Sequence, residues 1–495
     1  MKISRYKWIV WLFLLLLGLL VPPGEAEIAD LGQVSRAPTY DLDTITINNI
    51  GMFVTNRGSF ALDKVTGNPG LIFPWLEGAG TKTAVYASGL WIGAKVNGEL
   101  RVAISEYSDE YVPGVMKDST FSPDDPRFKI YKIYRGDTTS SDYLNWPVED
   151  GAPVDSNGNP LFLGDETLWA VYNDADPSAH ASNAGMTAPL GVEVQQTTFA
   201  FDREEPVGNV VFLKFKIINK GPNTLDSTFV SLWSDPDLGG ATDDLVGCDT
   251  SLSVGFCYNA TNNDDIYGST PPCVGYDFLQ GPIVPGDPTD TAWVSGEPRP
   301  GFKNLPMTAF NKYIIGTDPS SAVDTWNYMR GLDAVVGQGA PYINPVTGDT
   351  TTFVMSGDPV TGTGWLDSIP ADKRFMLSSG PFTMAPGDTQ EVVAAIVLGR
   401  GADRLTSITA MKYNDRFAQS AFDNNFVLYG DANGDWVIDL GDVIFLINYV
   451  LKGASPPQPL AAGDINGDCV VDVDDVVYLI YYLYKRGPTP QAGCA

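Results

Sequence analysis

Between about residue 40 and residue 428, short apolar or alternating runs are broken by clusters of glycine, proline and asparagine. Such spacing predicts β-strands joined by turns. Ile45–Ile50, Leu90–Val96 and Leu100–Ile104 read as strands, and Asn97-Gly98 between the last two is a two-residue hairpin turn. Val210–Ile218 and Ser227–Trp233, joined by Asn-Lys-Gly-Pro-Asn, read as a second hairpin. Gly380–Asp388 reads as a turn feeding a buried strand over Glu391–Leu398. The pattern becomes helical from Asp403 to about Phe422, a segment placed to join the β-rich region to the C-terminal domain. The expected fold is mainly β, one or two sandwiches, with a small helical domain at the C-terminus.

That last domain is an internal duplication. The segment Asp431–Val450 recurs 33 residues later as Asp464–Leu483, with 11 of 20 positions identical. Each copy reads as a loop followed by a helix; in the first, Val443, Phe445, Leu446, Tyr449 and Val450 form an apolar stripe and Gly453 is a stop. Oxygen-bearing residues recur at loop positions 1, 3, 5, 9 and 12. A hard cation such as calcium takes six to eight oxygens, with the carbonyl of position 7 among them. The first loop would use Asp431, Asn433, Asp435, the Val437 carbonyl, Asp439 and Asp442. The second would use Asp464, Asn466, Asp468, the Val470 carbonyl, Asp472 and Asp475. Four carboxylates within twelve residues repel one another without a cation between them, and a merely acidic tail would not repeat both the spacing and the helix.

In this loop–helix pairing, and in aspartate rather than glutamate at position 12, the segment Tyr429–Gly487 resembles the dockerin family, type I. The resemblance implies two bound calcium ions, an EF-hand-like helical fold dependent on them, and docking to a cohesin-like module or a cell-surface scaffold. Dockerins commonly carry polysaccharide-degrading enzymes, and also occur on non-catalytic proteins. Position 6, usually glycine, holds Trp436 and Cys469, where a side chain at positive φ costs about 1 kcal/mol. Positions 10 and 11, often hydroxyl residues that read the partner, are Leu440-Gly441 and Val473-Asp474. The remainder, through Ala87–Lys95 and Gly380–Asp388, resembles secreted β-rich bacterial proteins that supply no activity to carry over.

The N-terminus changes the picture of where the chain works. Lys2, Arg5 and Lys7 precede an apolar run from Trp8 to Val21, followed by Pro22, Pro23 and a small-residue cleavage site at Ala26. That reads as a signal peptide over 1–26, leaving a β-rich region over 27–428, the calcium-loop domain over 429–487 and a tail over 488–495. The expected protein is secreted or at the cell surface, with no span after cleavage. A net charge of −29 disfavours nucleic acid and anionic lipid as partners. Export permits disulfides among five cysteines. Cys469 and Cys494 flank the last helix and can staple the C-terminus, and one pair plus a free thiol is expected among Cys248, Cys257 and Cys273.

Catalytic patterns are sparse. The single histidine, His180, limits any histidine-based triad, and reads as a loop residue. No nucleophile elbow, HExxH helix or P-loop is present, so no catalytic residue is named. A glycosidase needs only two carboxylates, and 60 acids leave that route open, with polysaccharide as the substrate class. The run Trp233–Asp249, rich in aspartate from Asp235 onward, and the shorter Asn173–Asp176 have the oxygen density of a structural calcium loop or of a plain turn. Trp75, Trp91 and Trp233 read as core packing rather than a glycan platform.

Overall fold

The computed structural model describes residues 40–494, apart from 76–81, 118–121, 204–205, 295, 435–436, 458 and 492. The expected signal segment 1–26 lies outside them, as does Asp435 with Trp436. Two antiparallel sheets dominate. The first runs Ala309–Ile314, Lys373–Met384, Leu225–Asp235, Ala87–Val96 and on to short strands that include Gly51–Thr55 and Leu71–Ile72. The second runs Val112–Pro113, Glu166–Asn173, Val192–Ala200, Val210–Asn219, Thr389–Gly399, Cys273–Gln280, Val254–Asn259 and Asp244–Asp249. One apolar core, including Leu90, Ile92, Val230, Leu213, Val392 and Ile396, lies between them.

Central strands are apolar on both faces because both faces are covered. Outside the second sheet lie the segment around α1 (Ser141–Leu144) and a long C-terminal helix, and outside the first lies α2 (Ala322–Met329). Helix α2 places Trp326 and Met329 on Trp91 and Trp233, which stack at 6.0 Å between ring centres. Thus Trp91 and Trp233 are packing residues, each fully buried. The long helix is α3 (Arg404–Asp423). Asp403 caps it with a reciprocal bond to Thr406, and Ile408, Met411 and Ala418 face Val254, Phe256, Ala395 and Val397. A Cβ on Gly399 would stand 2.0 Å from the Met411 nitrogen, so glycine sets how closely α3 seats.

Beneath α3 two carboxyls meet. Asp277 from the sheet and Asp415 from the helix are 0% and 1% exposed, and their carboxyls face each other within hydrogen-bonding reach. Burial pushes both up, Asp415 to about 7, and the charge of Asp415 adds to the rise at Asp277. Of the nearby cations Arg416 and Lys412, Lys412 is engaged at 2.7 Å by Asp249.

The hairpin at Asn97-Gly98 forms as expected, with both residues at positive φ and Val96 paired to Glu99. The second expected hairpin does not. Val210–Asn219 and Leu225–Asp235 belong to different sheets, and the connection between them is an arch over one end of the sandwich. Asn219 holds the arch: its side-chain amide donates to the carbonyls of Asn223 and Met384. Two strands apolar on both faces gain more by entering opposite sheets than by leaving one face bare. The Ala385–Asp388 turn likewise passes from one sheet to the other and feeds the buried strand Thr389–Gly399.

The expected disulfide among Cys248, Cys257 and Cys273 is absent, and all three are buried thiols. Cys257 faces the inner core while Cys273 faces α3, so the sheet separates them. Cys248 shares the face of Cys257 but stands opposite Gly255, a diagonal step of about 7–8 Å that a disulfide does not span.

Candidate metal centre

The C-terminal domain is built on the duplicated pattern. Helix α4 (Leu440–Lys452) follows the first loop and α5 (Val473–Lys485) the second. Ala432, Val443 and Leu446 meet their repeat counterparts Ile465, Val476 and Leu479 in one small core. Each loop is therefore anchored by its second residue, Ala432 or Ile465, which is buried between the helices.

Positions 9 and 12 have two structural duties. Asp439 and Asp472 are the N-caps of α4 and α5, and each forms a reciprocal capping box with position 12, Asp442 or Asp475. An acid at a helix N-terminus is favoured by the unpaired N–H groups and the positive end of the helix dipole. Asp442 and Asp475 are fully buried; each accepts from the backbone of position 3, Asn433 or Asn466, and of position 9. Position 1 is also interior, with Asp431 and Asp464 5% and 0% exposed. Asn433, Asp439 and Asp468 are exposed, and Asn466 and Asp472 partly so.

The second loop is described complete. Asp464 Oδ1 accepts from Asp468 N, and Asp468 Oδ1 accepts from Val470 N, which folds the loop around a common centre. Burial foremost, and the charge of Asp464 after it, raise the Asp475 carboxyl above its usual range. Interior carboxylates at both ends of the loop, oxygen donors between them and a carboxyl pushed toward protonation fit a hard divalent cation. Cys469 at position 6 has φ of 69°, so a side chain does occupy the left-handed turn where glycine is usual. In the first loop Asp431, Asn433, Val437, Asp439 and Asp442 are brought to one loop in the same order; Asp435 is outside the described residues.

Residues 429–484 match the dockerin type I domain. Dockerin domains bind calcium, and a dockerin implies a cohesin partner and extracellular assembly. A search of curated proteins found no match. Among solved structures, the chain is similar to a family GH92 inverting mannosidase from Bacteroides thetaiotaomicron at 10% identity and a TM-score of 0.21. That similarity covers 70% of this chain and 32% of the mannosidase. No helix among the described residues is long and apolar enough to cross a membrane.

The dockerin is seated on the sandwich by residues that have no local sequence signal. The Arg203 guanidinium donates to the Gly434 carbonyl in the first loop and pairs with Asp165 at 3.0 Å. Phe426, past the end of α3, places its ring 5.1 Å from both Phe199 and Phe212. A cavity of about 370 Å³ remains between the two parts.

The other acidic runs resolve differently. Asp235 and Asp237 turn toward Asp372, which directly precedes the neighbouring strand Lys373–Met384, with one oxygen of each within 4.8 Å of the others. Arg374 stands among them, 2.6 Å from Asp372 and 3.3 Å from Asp235. Asp249 is paired with Lys412, and Asp244 is buried in the core, so the run Asp235–Asp249 does not close around one point. In Asn173–Asp176, Asp174 accepts the N–H groups of Leu190, Gly191 and Val192, clamping a turn. His180 is a loop residue as expected, yet buried, its ring nitrogens 3.7 Å from carboxylates of Glu110 and Asp174.

Proposed function

We propose that this is an exported, non-catalytic β-sandwich protein whose dockerin holds one calcium ion in each loop and docks to a cohesin-like module or cell-surface scaffold. The observation that carries the reading is the duplicated loop–helix unit with interior acids at positions 1 and 12. Its outer surface supplies a docking face. Leu440 and Val473, Ile444 and Val477, and Leu451 and Tyr484 are repeat-related pairs between 46% and 66% exposed. Paired apolar residues on two helices, rimmed by loop acids, suit a protein partner rather than a glycan. The cluster of Asp235, Asp237 and Asp372 is where a third ion would sit.

The test is capture from envelope and medium by the mature protein in calcium, beside an Asp442→Asn/Asp475→Asn variant. Capture of a cohesin-like protein by the native chain alone supports docking. Equal capture by both, or none, makes the loops a structural clamp and moves the search for function to the sandwich.

A polysaccharide-acting enzyme is a second reading, favoured by a cleft of about 420 Å³ lined by Glu106, Tyr107, Tyr313 and Asp318. Burial, and after it the charges of Glu110 and Asp318, push the Glu106 carboxyl up to about 7, the range of a general acid. Release of reducing sugar from a polysaccharide, abolished by Glu106→Gln, would support it; no release by the native protein would remove it.

A further inference from the structure

The second calcium loop is tied to the end of the chain. Cys469, at loop position 6, is disulfide-bonded to Cys494. The bond brings the Cys494 N–H to Asp464 Oδ2 at 2.8 Å, and Cys469 N donates to the same oxygen at 3.0 Å. A carboxylate oxygen of Asp464 and both sulfurs lie within 4.8 Å of one another. The tail is held at further points: Gln491 N donates to the Ile465 carbonyl at 3.0 Å, and the Tyr478 hydroxyl to the Thr489 carbonyl at 3.1 Å. Gly493 lies so close to the loop that a Cβ there would stand 2.7 Å from the Asp464 carbonyl oxygen.

Asp464 is position 1 of its loop, so two N–H donors fix the oxygen opposite the one that bonds Asp468. Of those two donors, one is local to the loop and the other comes from the tail through the disulfide. Position 6 of the first loop is Trp436, so no thiol can make the same connection there.

We propose that the tail, residues 488–494, is a positioning element of the second calcium site, and that the Cys469–Cys494 bond makes the affinity of that site alone depend on redox state. The inference rests on the calcium reading of the loops given above. A dithiol reductant supplies two electrons and two protons; the S–S bond breaks to two thiols, and the reductant closes to its own disulfide. With the tether gone, the Cys494 N–H is no longer held at high effective concentration beside Asp464. Loss of a group that orients a metal ligand weakens binding by about 10–100-fold. The buried thiols Cys248, Cys257 and Cys273 are already reduced, so the reductant changes no other bond among the described residues.

The experiment is calorimetric titration of calcium into the full chain, oxidised and after dithiothreitol, in two backgrounds. Asp442→Asn leaves the second loop to be read, and Asp475→Asn leaves the first. The expected result is a ~10–100-fold loss of affinity on reduction in the Asp442→Asn protein and none in the Asp475→Asn protein, with tryptophan fluorescence of the sandwich unchanged. A Cys469→Ser/Cys494→Ser chain in the Asp442→Asn background should match the reduced form without reductant. Equal effects on both loops, no effect on either, or tight binding by the serine variant would overturn the proposal. Absence of calcium binding by the oxidised native chain would instead overturn the reading on which it rests.

Discussion

Replacing Asp415 by asparagine should stabilise this protein, and by an amount that grows with pH. In the native chain the Asp415 carboxyl sits 1% exposed against the buried Asp277 carboxyl, with a pKa pushed to about 7 by burial. In the unfolded chain it returns to the ordinary value of 3.8. Between those values the unfolded state gives up a proton that the folded state keeps, so native stability falls as pH rises. The stability the carboxyl supports is complete below about 4 and lost as pH passes through about 7. At 1.36 kcal/mol per pH unit the full span is about 4 kcal/mol, shared with the coupled Asp277. Asparagine is neutral throughout, and its amide can donate to Asp277 at every pH. Calorimetric unfolding of the full chain in constant calcium would read it. The variant should come within about 1 kcal/mol of the native protein near pH 4.5 and exceed it by roughly 2–4 kcal/mol at pH 8. A difference that is constant from pH 4.5 to 8, or a net loss of stability at pH 8, would refute the argument that α3 is seated on an ionisation-prone pair.

Chelation should unfold the dockerin first, because the charges of its loop acids are then uncompensated; far-ultraviolet circular dichroism should lose helix in chelator and regain it with calcium, and an unchanged spectrum would count against both loops. Gly399→Ala should destabilise the sandwich by about 1–3 kcal/mol, since its Cβ would stand 2.0 Å from the Met411 nitrogen and force α3 outward. Thermal unfolding would show it, and an unaltered midpoint would mean that α3 is not tightly seated.

Features that depend on neighbours in the chain were legible. Asn97-Gly98 needed only two residues able to adopt positive φ, and the duplicated loop–helix unit needed only its spacing, because a loop and its following helix close within one stretch of chain. The pairing of Cys469 with Cys494 was available for a similar reason: both flank α5. The choice of aspartate at position 12 in each copy also makes sense once Asp442 and Asp475 are seen as the third residues of capped helices.

What escaped was every choice between partners of equal chemistry. Val210–Asn219 and Leu225–Asp235 have the composition of a hairpin, and nothing local says that a second sheet is present to cover their outer faces. Cys257 and Cys273 are close in sequence but stand on opposite sides of a sheet. Asp372 joins Asp235, Arg203 reaches Gly434, and Asp277 meets Asp415 only because strands and helices remote in sequence are stacked. The amino-acid pattern alone therefore determined the β-rich region and the duplicated loop–helix unit, since those depend on local spacing. Tertiary packing alone decided which buried acids meet and which loop rests on the sandwich, because burial and distance between remote residues arise only when the layers close.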